Sequence, residues 1–226
     1  MLTLLHDDLW ICAVPYRAMG FPIGRQLVVV RLPSGKLWIQ SPIPWTPALR
    51  AELAPLGEIH HVVAPNCYHD ECLKEFQAEY PAATFHAAPG LAGQRRDLRF
   101  AAEPLSDTPH PDWQGTLDQH LVKGMPSFNE VIFFHPASRS LIITDIAFNF
   151  GRDSAWLLKF VMMFNGGVGR FGPTGFCKSQ IKDRPAVRAS LDTILSWDFD
   201  RIIVGHGQNV ATDGKRIFRD AFAFLP

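Results

Sequence analysis

Short strand-like runs and amphipathic helices alternate along both halves of this sequence, and no linker rich in Pro, Ser or charge separates the halves. Runs of Val, Ile, Leu and Trp predict an opening antiparallel meander with strands at residues 9–14, 27–31 and 37–40. A helix that begins at Thr46 and Pro47 precedes a strand at 59–64. This alternation predicts a layered α/β protein that folds as a single domain over residues 1–226.

The second half repeats the alternation. Its predicted elements are a hairpin with strands at 131–134 and 141–144, a helix capped by Asp183, a strand at 201–204 and a final helix from Lys215. Between these elements lies the segment 149–182, in which the apolar stretch 156–164 predicts a core or lid helix. That stretch is far shorter than the roughly 20 residues of a membrane-spanning helix.

The charge balance narrows the classes of partner. Lys plus Arg and Asp plus Glu number 22 each, so the formal net charge is zero. A zero net charge does not suggest a surface for nucleic acid or anionic membrane, and a small-molecule substrate or ligand fits the chain better. The four cysteines form no CxxC pair, and the N-terminus lacks the basic start of a secretory signal, so we expect a cytoplasmic protein with reduced thiols.

Polar residues follow three of the predicted strands. The stretches are "PNCYHDE" after the strand at 59–64, "TDIAFN" after the second hairpin strand and "VGHGQ" after the strand at 201–204. Loops at strand ends converge above a rigid sheet in layered α/β folds, and ligands bind there. The sequence therefore predicts one site built from these three loops.

These motifs resemble those of the metallo-β-lactamase fold superfamily. Members have an HxHxDH loop after an early strand, a bridging aspartate after a later one and a last histidine in a "GHG" turn, and the three motifs occur here in that order. The combination of "APN..H", "NEVIFFHP", "ITD" and "WDFDRIIVGHG" is similar to a poorly characterised group of hydrolase-like relatives. The resemblance implies a four-layer αββα sandwich, with Asp145 as the bridging aspartate and His206 as the last histidine.

The first loop departs from the family pattern. If Asp70 aligns with the family aspartate, Asn66 and Tyr68 replace the first two histidines and Glu71 replaces the third. A register shifted by one residue places His69 and Asp70 on the aspartate and histidine positions with their types exchanged. The stretch "KGMPSFNE" also lacks the histidine expected before the strand at 131–134. This pattern indicates a reduced, mononuclear site.

The retained residues predict a metal-dependent hydrolase. His69, Asp70, Asp145 and His206 can hold one divalent ion, zinc first and then manganese or iron, with a position left for water. Such an ion activates water for hydrolysis of an ester, thioester, amide or phosphoester. In this hypothesis Asp70 or Asp145 accepts the proton of water, and the side-chain amide of one of two asparagines, Asn66 or Asn129, donates a hydrogen bond to the oxyanion.

Several alternatives stay open. A relative that lost its metal and its catalysis, and that binds a small molecule or a protein through the same cleft, would show the same missing histidines. Asp70 also suits the N-terminus of the following helix as a cap, and Asp145 suits a turn. Glu130 is expected on a solvated strand edge. His60 and His61 are expected on opposite faces of one strand, in structural roles.

Overall fold

The computed structural model describes residues 1–18, 20–151 and 170–226. Its larger sheet contains six strands, β1 (Thr3–His6), β2 (Leu9–Val14), β5 (Arg25–Arg31), β6 (Leu37–Gln40), β7 (Ile59–Ala64) and β8 (Thr84–Ala87), in that spatial order. In the chain, β2 and β5 are connected by a separate two-stranded ribbon, β3 (Arg17–Ala18) and β4 (Phe21–Pro22). Strands β1 to β6 pair antiparallel, which confirms the predicted meander, whereas β6, β7 and β8 are parallel.

The smaller sheet comes mainly from the second half. Its strands are β9 (Asp118–Leu121), β10 (Val131–His135), β11 (Ser140–Ile142) and β12 (Arg201–Ile203), in the spatial order β12-β11-β10-β9. Strands β10 and β11 form the predicted hairpin around a 3-10 turn at Pro136–Ser138. Strand β12 pairs parallel with β11, as a crossover helix between them allows.

Six helices connect the strands of the described chain: α1 (Pro47–Leu53), α2 (Leu73–Glu79), α3 (Leu91–Gln94), α4 (Gly175–Ser179), α5 (Arg184–Ser196) and α6 (Gly214–Ala221). Two predicted caps are confirmed. The side chain of Thr46 accepts a hydrogen bond from the backbone N–H of Leu49, and that of Asp183 accepts one from Ala186. The helix predicted at 156–164 lies outside the described residues.

The two sheets pack face to face, and helices cover both outer faces. One apolar cluster lies between the sheets and joins Val28, Val30, Trp38 and Val63 to Val131, Phe133, Ile142 and Ile203. A second cluster packs α1 and α2 against the outer face of the larger sheet, and a third packs α5 and α6 against the smaller one. Alternate residues of β10 face different clusters, as the two-residue period of a strand requires. The architecture is the expected αββα sandwich.

A β-bulge at the start of β7 overturns one expectation. Leu37 pairs with Ile59 but Trp38 pairs with His61, so His60 is an extra residue in the ladder. The bulge turns His60 and His61 toward each other, with ring centroids 4.7 Å apart. The prediction that these two side chains point to opposite faces was therefore wrong.

The N-terminus of α2 differs from a second expectation. Cys72 is its N-cap residue and makes no side-chain capping bond. The carboxylate of Asp70 instead pairs with the guanidinium of Arg95, so the capping role considered for Asp70 is wrong.

Within the described residues, no helix is both long and apolar enough to span a bilayer.

Buried His135 at the end of β10 predicts acid sensitivity. Burial, together with neighbouring His6, lowers the pKa of His135 to about 4, below its unfolded value of about 6.5. The unfolded chain therefore binds more protons between these two pKa values, and stability falls as pH drops through that window. Urea unfolding from pH 7 to pH 4 should show a smaller loss for His135→Gln than for the wild type. Equal slopes would contradict this account.

Candidate metal centre

Asn66 organises the loop after β7. Its side chain is fully buried, and its Oδ1 accepts hydrogen bonds from the backbone N–H groups of Tyr68, at 2.8 Å, and His69, at 3.0 Å. This local turn is typical of asparagine. Its Nδ2 donates to Asp145 Oδ2 at 2.6 Å and to Thr144 Oγ1 at 3.0 Å. Asn66 thus joins the first loop to the loop after β11 and directs His69 inward.

Two glycines allow the last histidine to approach these loops. A Cβ atom on Gly205 would lie 3.0 Å from Thr144 Cα and 3.2 Å from His69 Cε1. Gly207 has φ +94°, and a Cβ there would lie 2.3 Å from the carbonyl oxygen of Asn149. Only glycine tolerates both the conformation and the contact at position 207. The "GHG" turn is therefore required by close packing around His206.

His206 has a fixed orientation and a fixed tautomer. Its Nδ1 lies 2.6 Å from the carbonyl oxygen of Gly24, and because a carbonyl only accepts, Nδ1 must carry hydrogen. Its ring stacks against Phe148, with centroids 5.5 Å apart, and against Tyr16, with centroids 6.4 Å apart. The contact of Nδ1 with Gly24 directs Nε2, the other ring nitrogen, toward Asp145.

The two imidazoles flank one carboxylate. His206 Nε2 lies 3.3 Å from Asp145 Oδ1, and His69 Nε2 lies 3.2 Å from Asp145 Oδ2. All three side chains are buried, with exposed fractions of 2% for His69, 8% for Asp145 and 5% for His206. Burial opposes ionisation of Asp145, but the two histidines outweigh it and hold the pKa of Asp145 well below its usual range. Burial also lowers the pKa of His69.

This donor set fits a divalent metal ion. Ligand atoms bonded to one zinc ion at ~2.0–2.1 Å in a tetrahedron lie ~3.3–3.4 Å apart, close to the two nitrogen–oxygen distances seen here. His69 Nε2 is buried, and its approach to Asp145 Oδ2 at 3.2 Å does not have the geometry of a hydrogen bond. Its Nδ1 lies 2.9 Å from Ser41 Oγ, the kind of second contact that orients metal-binding histidines. Two imidazoles and one carboxylate are also the ligands of known catalytic zinc sites.

Glu130, directly before β10, accepts hydrogen bonds from the loop that carries Asp145. Its carboxylate accepts hydrogen bonds from the backbone N–H groups of Thr144, Asp145 and Ile146, at 2.7, 2.8 and 2.9 Å. Asn66 Nδ2 is a fourth donor, at 3.4 Å. Burial and the neighbouring Asp145 raise the pKa of Glu130 to about 7, against the effect of these donors. All four contacts donate to Glu130, so they match the ionised carboxylate.

The solvated strand edge expected for Glu130 is thus wrong, because only 1% of the residue is exposed. One sequence signal was available: Glu130 is the charged residue that directly precedes the apolar strand "VIFF". A carboxylate at such a position needs several donors to offset its burial. Here the three backbone donors come from a loop 14–16 residues further along the chain.

The other predicted site residues lie elsewhere or have other partners. His69, Asp145 and His206 come together as expected, and one ligand atom from each lies within 4.8 Å of the others. Asp70 is not in this group, since its carboxylate faces Arg95. The side-chain amide of Asn129 donates to the carbonyl of Pro89 at 2.8 Å. The amide of Asn66 is used within the protein, so neither asparagine has a free donor for an oxyanion.

A cleft of about 400 Å³ opens onto the group. His69, Asp145 and His206 all line it. The remaining wall is mainly apolar, and its aromatic members are Tyr16, Tyr68, Phe128, Phe148 and Phe176. Tyr68 and Phe176 are also among the large apolar side chains exposed to solvent. Such a mixture of apolar wall and few polar groups is typical of sites for small molecules.

Three polar residues of the cleft form one hydrogen-bonded unit. Glu71 accepts a hydrogen bond from the hydroxyl of Tyr16 at one carboxylate oxygen and pairs with Arg25 Nη1 at the other. The side chain of Arg25 is 1% exposed. Burial, followed by the bond to Glu71, raises the pKa of Tyr16 to about 12. Arg25 and Tyr16 outweigh the effect of burial on Glu71 and lower its pKa. Glu71 is therefore ionised at neutral pH.

Solved structures with the same fold support this architecture. TMB-1 superposes with a TM-score of 0.66 at 13% identity, covering 99% of this chain and 96% of that one. A metallo-β-lactamase from Pontibacter korlensis gives 0.66 at 10% identity, covering 100% and 99%. The Flv1 flavodiiron core from Synechocystis sp. PCC6803 gives 0.65 at 11% identity, and this chain spans 60% of its length. At these identities the likeness shows the fold alone.

No curated protein sequence matches this chain. A family model described as "Domain of unknown function (DUF4336)" matches residues 19–160, which is more than half of the sequence. That range includes the loop of His69, the strand of Glu130 and Asp145, and it ends before His206. The chain therefore belongs to the DUF4336 family and has the metallo-β-lactamase fold.

Proposed function

We propose that the protein is a metal-dependent hydrolase with a single ion held by His69, Asp145 and His206. One observation carries the proposal: two buried imidazole nitrogens lie 3.2 and 3.3 Å from the two oxygens of one buried carboxylate. When its Nε2 carries no hydrogen, His206 offers an acceptor to Asp145 Oδ1, and a cation between these two atoms matches their 3.3 Å separation. Zinc suits three such ligands best, followed by manganese or iron.

A bound divalent ion supplies Lewis acidity and activation of water at this position. The protein supplies the binding cleft, whose aromatic wall excludes water and fits an apolar acyl or aryl group. Its volume suits a small-molecule substrate, and the zero net charge of the chain argues against nucleic acid. Ester, thioester, amide and phosphoester bonds are the substrate classes that this chemistry serves.

Glu71 takes the proton-accepting role that the sequence assigned to Asp70 or Asp145. Glu71 is an ionised carboxylate in the cleft wall and can accept a proton from water. The hydroxyl of Tyr16 donates its one hydrogen to Glu71, so Tyr16 orients this carboxylate and has no free hydrogen for an oxyanion. Arg25 holds Glu71 in place through their ion pair.

The test is a hydrolysis screen of the metal-loaded protein with aryl esters, thioesters, amides and phosphoesters. We expect turnover of one class, and we expect Glu71→Gln to lower kcat by about 10²–10⁴-fold. The acid limb of the kcat/KM profile should disappear in that variant. Glu79→Gln is the matched control, because Glu79 also pairs with an arginine, Arg50, but does not line the cleft. A metal-loaded protein that turns over none of the four classes would refute the proposal.

A non-catalytic scaffold is the second candidate. The Asn66–Glu130 hydrogen bond at 3.4 Å favours it, because Asn66 stands where the resemblance expects a first histidine. In this alternative a protonated His206 replaces the metal beside Asp145, and the cleft binds a small molecule or a protein. Protein that is purified without chelator, contains no metal and cannot be reconstituted would support this alternative.

The state of the cysteines provides evidence on the cellular compartment of the protein. All four are free and buried in this structure: Cys12, Cys67, Cys72 and Cys177. We place the protein in a reducing compartment such as the cytoplasm, where buried thiols persist. Burial also raises the pKa of Cys67, which argues against a nucleophilic role for this residue.

A further inference from the structure

A second cluster of imidazoles lies at the opposite end of β7 from His69. The β-bulge at His60 places this residue and His61 side by side. Bulges often re-aim side chains next to functional sites. Here the bulge has no role in the cleft described above, since neither histidine lines that cleft.

The cluster contains a carboxylate as well. His61 Nε2 lies 3.0 Å from Asp112 Oδ2, and His61 Nδ1 lies 3.0 Å from His86 Nε2. One ligand atom from each of His60, His61 and Asp112 lies within 4.8 Å of the other two. His110 completes the surroundings, with its ring centroid 5.3 Å from those of His61 and His86.

The contacts of His61 suit a metal ligand, because one ring nitrogen faces Asp112 and the other faces His86. Metal ions bind the neutral ring. If His61 Nε2 binds an ion, His61 Nδ1 carries the hydrogen and donates it to His86, a contact that orients the ring. Asp112 is half-exposed, so its carboxylate can adjust to an ion.

We propose that His60, His61 and Asp112 form a second binding site for a divalent transition-metal ion. Imidazole and carboxylate ligands favour zinc, cobalt or nickel over magnesium or calcium. Asp112 belongs to the segment around Trp113, and Trp113 packs in the cluster between the sheets. The ion therefore ties this segment to the start of β7, and its role is structural.

Lys36 provides a check of the geometry. Its Nζ lies 3.3 Å from both ring nitrogens of His60, so an incoming ion must displace this ammonium. Lys36→Met removes the competing charge and keeps most of the side-chain length. We expect this variant to bind the ion more tightly than the parent.

The experiment uses the full chain with His206→Asn, which removes one ligand of the first site and isolates the second. Chelator-treated protein is titrated with Co²⁺, and bound metal is measured by absorbance and by elemental analysis. We expect about one ion per chain, a rise in Tm on binding and at least about tenfold weaker binding after Asp112→Asn. Asp107→Asn is the matched control, because Asp107 is similarly exposed and pairs with His120 at 3.2 Å.

Each outcome decides the matter. Binding lost in Asp112→Asn, kept in Asp107→Asn and strengthened in Lys36→Met supports the site. Binding that is equal in the two aspartate variants, or that is absent in the His206→Asn parent, overturns it. The result is independent of the hydrolase proposal, because the unsubstituted protein would still bind one ion at His69, Asp145 and His206 if only the second site failed.

Discussion

Replacing His206 by alanine should remove about one divalent ion per chain and weaken binding at the first site by at least about a hundredfold. The reason is the arrangement around Asp145, where each carboxylate oxygen faces one imidazole at 3.2 or 3.3 Å. His69→Ala should have the same effect, since its buried Nε2 faces Asp145 without hydrogen-bond geometry and is placed to bind the ion. Hydrolysis should fall with metal content in both variants.

Elemental analysis of protein purified without chelator or affinity metal provides the measurement. His120→Ala is the control, because this histidine is also largely buried and pairs with an aspartate but is not in either group. His206→Asn separates structure from ligation, since its amide can still donate to the carbonyl of Gly24. Full metal content in both His69→Ala and His206→Ala would exclude the site.

The second large effect concerns stability. Glu130→Ala should lower the free energy of unfolding by about 3–5 kcal/mol. It leaves three consecutive backbone N–H groups, those of Thr144, Asp145 and Ile146, without their acceptor in a buried loop. Glu130→Gln tests the hydrogen bonds apart from the volume, because its amide turns a donor toward backbone donors. It should also destabilise the protein.

Urea unfolding monitored by tryptophan fluorescence measures this loss. The midpoint should fall while the m-value stays constant, which indicates lower stability without a change in the unfolded state. Glu79→Ala should cost no more than about 1 kcal/mol, because its ion pair with Arg50 is exposed. A Glu130→Ala variant as stable as Glu79→Ala would show that water replaces the carboxylate.

Local patterns were enough to predict most of the fold. The helix caps at Thr46 and Asp183 depend on neighbours three residues away, and both were visible in sequence. The alternating strand β10 likewise follows from the chemistry of successive residues. The bulge at His60 could not be predicted, because the register between β6 and β7 depends on residues that are far apart in the chain.

The site was predictable in part for the same reason. Asp145 and His206 follow strands and match family motifs, so their convergence could be inferred. Whether His69 or Asp70 enters the site depends on the turn that Asn66 forms. This turn points His69 inward, and the carboxylate of Asp70 pairs with Arg95. The Arg25–Glu71–Tyr16 unit joins residues 46 and 55 positions apart, and no local pattern indicates it.

The buried contacts of Asn66 and Glu130 also constrain how this chain can evolve. A histidine at position 66 would lose the amide that donates to Asp145 and the oxygen that accepts from the N–H groups of Tyr68 and His69. A histidine at position 130 would lose the acceptor for three N–H groups. Substitution at either position is therefore selected against through stability alone, whether or not the protein binds an ion.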